Sequence, residues 1–384
     1  MPDSKIDIVH FHNGLGGGVL SVIRNLLAYS NNESICNHLI FTIDKKSIPG
    51  FKIPEIRGTK SVQVFYHEQN DNFYYTCKQL AKLLPGDKAV IVAHDWLELG
   101  MVSNLGLQNP VVQMIHGDYE YYHDLAKKHA FSVNTFITVA HSIAVKLQGI
   151  LPSRSKDIKY VRFPVPDSHC IAEKSVTFSI IFIGRCTKEK GYDILPGVAE
   201  ALLLDGYKVH WHIAGDIKES VTFKYPWPSG SIVTFHGNLN NSEVMNLLCG
   251  MHIILLPSLA EGMPVAVIEA MKAGVIPLVN DIPGGIQELV VNNTTGFKSE
   301  GNSIDAYKEK ILYLMHNPPE RLIMQKNVKD YAVQNFSPLE NTLKYEGAII
   351  ETTLQHRTKK AKKIYGSRLD QPWLHNQITK TLRG

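Results

Sequence analysis

Long hydrophobic runs are missing from this sequence of 384 residues. The apolar stretch nearest the start, residues 6–11, is short and is interrupted by Asp7 and His10. No run approaches the roughly 18 apolar residues that a transmembrane helix needs. We therefore expect neither a signal peptide nor a membrane span.

Cysteine is scarce, and its spacing is irregular. The chain has an odd number of scattered cysteines and no C-x-x-C pair: Cys36, Cys77, Cys170, Cys186 and Cys249. This pattern argues against a disulfide framework and against a structural zinc site. The sequence therefore predicts a reduced, cytoplasmic protein with no metal site.

Net charge is low as well, because 40 basic and 36 acidic residues leave a formal charge of +4. No basic stripe interleaved with aromatic residues is present, so we expect no nucleic-acid partner. One local exception runs from Arg357 to Lys363, with five positive charges in seven residues on a predicted helix. That segment is either a solvated face or a peripheral contact with anionic lipid at the inner side of the membrane. Residues 371–384 are predicted to be a poorly ordered tail.

What the chain does contain is a hydrophobic fraction of 44%, enough at this length for two ordinary cores. Short apolar runs alternate with longer amphipathic stretches, which predicts βαβ units and parallel sheets. A polar, proline-containing linker at 164–174 separates two such series. We predict two doubly wound domains, at 1–165 and 166–340, and a helix and tail at 341–384 that returns to the first domain.

Open parallel sheets bind ligands where their strands end, so residues directly after strands are candidates. Gly16 and Gly17 lie in a glycine-rich turn after the first strand, which is either a ligand loop or a plain turn because its spacing is not G-x-G-x-x-G. His94 and His116 each follow a predicted strand. Each is either a satisfied polar residue or a ligand contact.

Positive charge gathers after the first strand of the second series, in the loop 184–191. The loop begins with Gly184 and brings Arg185, Lys188 and Lys190 to one strand end. Guanidinium and ammonium groups together suit a diphosphate. The alternative is a solvated charged loop.

A third candidate is an apolar helix predicted at 264–273, with a proline at its start and a glycine just after its end. Free N–H groups at this start could hold a phosphate, beside the carboxylate of Glu261. Glu269 lies in the middle of the apolar run, where an unpaired charge is costly. Either a structural partner or a ligand hydroxyl must therefore satisfy it.

At these positions the sequence resembles the retaining GT-B glycosyltransferases of the family 4 type, also called group 1. The segment from Glu261 to Glu269 resembles the family's E-x7-E signature, and Gly184-Arg-x4-Lys190-Gly191 resembles its phosphate clamp. The resemblance is strongest over residues 178–297. It implies the GT-B fold, in which two Rossmann-like doubly wound parallel-sheet domains face one another across a cleft. The first would be the acceptor side and the second the nucleotide-sugar side.

Carried over residue by residue, the resemblance implies a donor site without a metal or another cofactor. Arg185 and Lys190 would neutralise the donor diphosphate, Glu269 would bind the ribose, and Glu261 and His116 would contact the donor sugar. The remaining donor contacts would come from the glycine-rich loops and from the helix start: Gly16, Gly17, Gly184, Gly262, Met263, Pro264 and Val265.

The implied activity is retaining transfer of a hexosyl-type sugar from an NDP-sugar, UDP- or GDP-linked, to a saccharide or lipid-linked saccharide. The product would be a surface polysaccharide or a lipopolysaccharide-type glycan. Two departures from the family pattern affect the acceptor side and the hinge: no aromatic residue lies between Glu261 and Glu269, and residues 162–165 replace the usual Asn-Gly-Val. A related GT-B activity such as epimerisation or hydrolysis is one alternative. A catalytically weak or inactive nucleotide-sugar-binding scaffold is another.

Overall fold

The structure is a computed structural model that describes residues 5–168, 170, 174–355 and 357–383. It consists of two compact units. The first combines Met1–Pro164 with Pro338–Gly384, and the second is Val165–Ser337. Of the predicted linker at 164–174, His169 and residues 171–173 lie outside the described residues.

A parallel sheet forms the centre of the first unit, with seven strands in the described part of the chain. Its order is β3-β2-β1-β4-β5-β6-β7, so the direction of winding changes between β1 and β4. Strands β4 to β6 are buried along their whole length, which explains their mostly apolar sequences. The strands are β1 (Ile6–His12), β2 (Ile35–Asp44), β3 (Ser61–His67), β4 (Val90–Ala93), β5 (Val111–Ile115), β6 (Thr135–Thr138) and β7 (Ile158–Tyr160).

Helices connect these strands and cover the sheet. Asn72 accepts hydrogen bonds at the start of α2, and Asp95 and Glu98 form a capping box at α3, so both starts are marked in the sequence. The helices of this unit, labelled in chain order, are α1 (Gly18–Tyr29), α2 (Phe73–Ala81), α3 (Trp96–Leu105), α4 (Glu120–His129), α5 (His141–Ile150), α13 (Pro338–Thr353) and α14 (Asn376–Arg383).

The C-terminal part corrects two predictions. Residues 357–363 are not helical. Their backbone instead bonds to earlier residues of the same unit: Lys362 N donates to Ser103 O at 2.8 Å, and Lys359 N donates to Gln108 Oε1 at 3.1 Å. These tertiary hydrogen bonds outweigh a local helix preference. Residues 371–383 are not a poorly ordered tail either, because they contain α14, and Asn72 N donates to Asn376 Oδ1 at 2.7 Å.

The second unit is built on a parallel sheet with six described strands in the order β10-β9-β8-β11-β12-β13. This order again reverses once, between β8 and β11. Its strands are β8 (Ser179–Ile183), β9 (His210–Ala214), β10 (Ile232–Gly237), β11 (Ile253–Leu256), β12 (Ile276–Asn280) and β13 (Phe297–Ser299). Its helices are α6 (Leu195–Leu204), α7 (Glu219–Lys224), α8 (Asn241–Cys249), α9 (Val265–Lys272), α10 (Gly285–Leu289), α11 (Ile304–His316) and α12 (Pro318–Asn335).

Two doubly wound parallel sheets confirm the predicted α/β class. Among the helices that the structure describes, none combines the length and the apolar character that a membrane crossing requires.

A disulfide in the second unit corrects the expectation from cysteine spacing. Cys170 is bonded to Cys249 at the end of α8; the two are 79 positions apart in sequence, and their Cα atoms are 5.3 Å apart. The free cysteines are Cys36, Cys77 and Cys186. Spacing along the chain could not predict this pair, because only the fold brings the two residues within bonding distance.

Candidate functional site

The two loops that the sequence singled out in the second unit meet where its strand order reverses. The loop 184–191 follows β8, and the loop that contains Glu261 follows β11, the strand paired with β8. Leu259 N donates to Glu189 O at 2.9 Å, which joins the loop backbones directly. The structure thus brings the predicted phosphate clamp and the first predicted glutamate together at one strand end.

Glycine makes this close approach of the loops possible. Gly191 has a φ of +74°, and a Cβ atom there would lie 2.1 Å from Pro257 O. A Cβ atom at Gly285 would lie 2.2 Å from Gly262 O, the atom to which Gly285 N donates at 2.7 Å. Gly184 also has a positive φ, +156°. A larger residue at Gly191 or Gly285 would push the loops apart, whereas at Gly184 the positive φ is what favours glycine.

Lys190 and Glu261 form an ion pair at the centre of the site. Lys190 Nζ donates to Glu261 Oε1 at 2.7 Å, and Ser258 Oγ donates to the same oxygen at 2.7 Å. The side chains are 17% and 9% exposed, so little water screens the pair. Asn280 Nδ2 in turn donates to Ser258 O at 3.2 Å. The ammonium group is therefore fixed in position and retains further donor N–H groups for an anion.

Arg185 differs from Lys190 in its surroundings. Its side chain is 67% exposed, and its nearest described ion-pair atom is Glu189 Oε2, at 4.0 Å. A surface ion pair at this distance contributes little to stability. The guanidinium thus lies at the rim of the loop, and the structure does not bring it into the Lys190–Glu261 pair.

Helix α9 starts one residue later than predicted, at Val265, with Pro264 as its N-cap. No side chain accepts a hydrogen bond at this cap. The helix start therefore keeps backbone N–H groups and the positive end of the helix dipole for an anion. Met263 and Val265 are buried, which fixes the backbone on both sides of Pro264.

Glu269 lies inside α9 and is 6% exposed. Asn241 Nδ2, from the first residue of α8, donates to Glu269 Oε1 at 2.7 Å. Burial raises the pKa of Glu269 to about 7, against the opposing effect of the Asn241 hydrogen bond. The structure thus supplies one polar partner for this carboxylate, while desolvation still penalises its charge.

The first unit holds the remaining predicted residues. Gly17 is the N-cap of α1, with a φ of +136°, and no atom lies within 4 Å of a Cβ added at Gly16 or Gly17. His116 is 8% exposed, and its Nε2 lies 2.8 Å from His94 Nδ1. Burial lowers the pKa of His116 to about 3, so its imidazole is neutral at neutral pH.

Sequence reasoning did not find every side chain of the second-unit cluster. Ser258 and Asn241 were not predicted, although each contacts a predicted glutamate. A capping box of Asn240 and Glu243 marks the start of α8 and could have placed Asn241 in its first turn. For Ser258 the signal was its position two residues after the end of β11.

Potential metal ligands occur together elsewhere in the first unit. Among the described residues, Asp7, Cys36 and His38 have donor atoms within 4.8 Å of one another. His38 Nε2 lies 2.9 Å from Asp7 Oδ1, and His38 Nδ1 lies 2.8 Å from Ser61 Oγ. Hydrogen bonds within the protein thus satisfy this histidine, and the group is not part of the second-unit cluster.

Solved structures with the same fold are glycosyltransferases of the GT-B type. A structure of HepE from Anabaena in complex with UDP and glucose matches 90% of this chain and 100% of its own, with a TM-score of 0.70 and 14% identity. Sucrose-phosphate synthase from Thermosynechococcus elongatus matches 90% and 99%, with a TM-score of 0.71 and 14% identity. At this identity the likeness defines the fold class alone, which is GT-B.

Sequence comparison adds a family match for part of the chain. Residues 171–331 match the family described as glycosyl transferases group 1. An Escherichia coli UDP-Gal:alpha-D-GlcNAc-diphosphoundecaprenol alpha-1,3-galactosyltransferase is 31% identical over 29% of this chain and 28% of its own. TuaC of Bacillus subtilis, a putative teichuronic acid biosynthesis glycosyltransferase, is 35% identical over 28% and 26%. Residues 171–331 thus match the glycosyl transferases group 1 family, in agreement with the resemblance found in the sequence, and the chain spans less than a third of the length of these two relatives.

Proposed function

We propose that this protein transfers a sugar from a nucleoside diphosphate sugar to a saccharide or lipid-linked saccharide. The observation that carries the proposal is the cluster of Lys190, Glu261 and the open start of α9 at the point where the strand order of the second unit reverses. Its setting in a chain of the group 1 family supports transfer over epimerisation or hydrolysis.

The donor diphosphate would lie between cationic side chains and the helix start. Lys190 is held in place by Glu261 and supplies a fixed ammonium group, while the exposed Arg185 can turn towards the ligand and grip it with a guanidinium fork. Backbone N–H groups of Met263 and Val265, on either side of Pro264, would donate to a phosphate. Gly184 of the clamp and Gly262 beside Glu261 would allow the backbone to approach it.

The two glutamates would bind sugar hydroxyls. Glu269 is buried and has one described donor, so the hydroxyls of a ribose would complete its hydrogen bonding. Glu261 would contact the donor sugar with the carboxylate that also holds Lys190. The family pattern assigns His116 to the transferred sugar, together with backbone contacts at Gly16 and Gly17, and these assignments stay predictions.

Cleavage of a sugar–diphosphate bond builds negative charge on the leaving phosphate and positive charge on the sugar ring. Fixed cations and a helix N-terminus stabilise that developing charge more than they stabilise the ground state. Because these groups supply the charge that a divalent cation supplies in other transferases, we expect turnover to persist in EDTA. The family resemblance implies that the anomeric configuration is retained, with the leaving phosphate helping to deprotonate the acceptor hydroxyl.

The names of similar proteins indicate which nucleotide sugars to test first. The E. coli relative is named for a UDP-galactose donor and a lipid-diphosphate-linked acceptor, and HepE was solved with UDP-glucose. We therefore place UDP-sugars first and GDP-sugars second. We place the protein in the synthesis of a surface polysaccharide or lipopolysaccharide-type glycan, in the cytoplasm.

Contact with a membrane surface is a further part of the proposal. Within 357–363, Arg357 Nη1 donates to Ala130 O at 3.2 Å, Lys359 Nζ donates to Asn109 O, and Lys363 Nζ donates to Ser367 O at 2.7 Å, so three of the five cations already have hydrogen-bond partners. The exposed Lys360 and Lys362 would have to carry a contact with anionic lipid. Co-sedimentation with anionic liposomes that persists after both lysines become glutamine would remove this part.

A nucleotide-sugar-binding scaffold without activity is the second candidate, since the acceptor side departs from the family pattern at residues 162–165. Tight binding of a nucleotide sugar without release of the nucleoside diphosphate, across a panel of acceptors, would favour it.

The testing experiment is a thermal-shift panel of UDP, GDP, ADP, CMP and dTDP and their sugars, in EDTA. Binding to the folded state raises the melting temperature by mass action. We expect one nucleotide family to raise it, and Arg185→Ala and Lys190→Ala to abolish the shift. No shift with any nucleotide would contradict the proposal.

A further inference from the structure

Three buried histidines in the first unit form a continuous chain of hydrogen bonds. His10 Nδ1 lies 3.4 Å from His94 Nε2, and His94 Nδ1 lies 2.8 Å from His116 Nε2. The residues are 3%, 5% and 8% exposed, and they belong to or follow the neighbouring strands β1, β4 and β5. Burial lowers the pKa of all three, so each ring is neutral at neutral pH.

Both ends of this histidine chain are incomplete. His116 Nδ1 is buried and has no hydrogen-bond partner among the described residues. At the other end, His10 lines a cavity with Thr342 and Glu346 of α13, with about 10 Å³ available to the centre of a water molecule. Thr342 Oγ1 and Glu346 Oε2 are also buried without partners in the described part of the chain. The cavity thus has the size and the polar lining that one buried water requires.

A neutral imidazole has one N–H donor and one acceptor nitrogen. Each contact in the histidine chain needs one donor and one acceptor, so the tautomers depend on one another. Either all three rings carry hydrogen on Nδ1, or all three carry it on Nε2. Any mixture would place two protons or two lone pairs against each other, which is costly in a buried site.

We propose that His10 and His94 are positioning residues that couple the tautomer of His116 to the carboxyl group of Glu346 through one water in the cavity. A proton that enters His10 at Nε2 shifts one proton across each contact and releases one from His116 Nδ1, so the histidine chain neither gains nor loses a proton.

The state of Glu346 then decides what His116 presents. Ser30 Oγ donates to Glu346 Oε1 at 2.5 Å, which leaves Oε2 as the oxygen without a partner. An ionised Oε2 orients the water to accept from His10, so hydrogen lies on Nε2 of all three rings. His116 Nδ1 then offers a lone pair to a ligand hydroxyl. If residue 346 donates a hydrogen bond to the water instead, the water donates to His10 and all three rings carry hydrogen on Nδ1. His116 Nδ1 then offers a proton to the ligand.

This inference rests on the proposed function only for the role of His116 towards the sugar. The tautomers of the three histidines can be measured without substrate. A failure of sugar transfer and a failure of the coupling are therefore distinguishable, because the nucleotide-binding residues lie in the second unit.

The test is nitrogen NMR of the full chain labelled at histidine, which reports which ring nitrogen carries the proton. In the wild-type protein we expect His10, His94 and His116 to share the Nε2–H tautomer. The variant Glu346→Gln replaces an acceptor oxygen by an amide that can donate. We expect it to move all three towards Nδ1–H together, with an unchanged nucleotide-induced thermal shift.

His94→Gln keeps hydrogen-bonding groups at the centre but cannot exchange tautomers. In that background we expect Glu346→Gln to leave His116 unchanged. The matched control is His129→Gln. His129 is also buried, and it bonds to Ser103 and Tyr365 outside the histidine chain, so this change should leave His116 as in the wild type. Opposite tautomers at His94 and His116 in the wild-type protein would overturn the proposal without any variant. So would Glu346→Gln that folds and leaves His116 unchanged.

Discussion

The affinity for a nucleotide sugar should depend on pH through Glu269. This carboxyl group has a pKa raised to about 7 by burial, so at pH 6 most molecules carry it protonated. An ionised carboxylate accepts hydrogen bonds from both ribose hydroxyls, whereas the protonated group has lost acceptor capacity. Binding should therefore strengthen as pH rises through 7.

The size of the effect follows from the fraction of ionised Glu269. With a pKa of about 7, that fraction is roughly one in eleven at pH 6 and ten in eleven at pH 8, so affinity should rise about tenfold if the ionised form alone binds. Stability without ligand changes in the opposite direction. The folded state binds more protons than the unfolded state between the ordinary carboxyl pKa and 7, so the unfolding free energy falls as pH rises through that window.

The assay is calorimetric titration with the intact nucleotide sugar between pH 6 and 8. The free nucleoside diphosphate is less suitable, because a terminal phosphate has a second pKa of about 6 and would add its own pH dependence. Glu269→Gln should make the affinity independent of pH in this window. Asn241→Ala removes the hydrogen bond that favours the ionised form, so it should move the midpoint to higher pH. A rise with pH that persists in Glu269→Gln would refute the reasoning.

Three further predictions concern the second unit. Gly191→Ala should lower the melting temperature of the protein more than Gly230→Ala does. Both glycines have a positive φ, but only at Gly191 would the added Cβ atom clash with a carbonyl oxygen, at 2.1 Å. Equal losses would mean that backbone strain alone matters. Lys190→Ala should lower stability by about 2 kcal/mol by leaving a buried carboxylate unpaired, and adding Glu261→Gln should restore stability but not nucleotide affinity, as measured by denaturant unfolding and titration. Cys249→Ser should lose up to about 4 kcal/mol and become insensitive to reductant in thermal melts, whereas an unchanged melt would argue against the disulfide in solution.

Much of the architecture of the second unit could be predicted because local signals agreed with the fold. The apolar strands before Gly184 and Ser258, the glycine turns and the proline before α9 fixed where β8, β11 and the helix lie. Parallel-sheet topology then brought the ends of β8 and β11 together. The chemical partners of the glutamates could not be read in this way, because Asn241 approaches Glu269 from another helix.

The C-terminal part shows the limit of composition. Residues 357–363 have a helix-favouring composition, yet they are not helical and their backbone bonds to Ser103 and Gln108 instead. Helix α14 likewise contacts Asn72, which is far away in sequence. The Cys170–Cys249 pair is likewise a product of tertiary distance. At these positions, contacts between residues far apart in sequence determine the structure and override local secondary-structure propensity.

The most direct test of the central claim measures release of nucleoside diphosphate from the nucleotide sugar that binds, in EDTA, with saccharide and lipid-linked acceptors. The proposed function predicts acceptor-dependent release matched by an α-linked product from an α-linked donor, and its loss in Lys190→Ala. Tight binding without release, or a β-linked product, would contradict it.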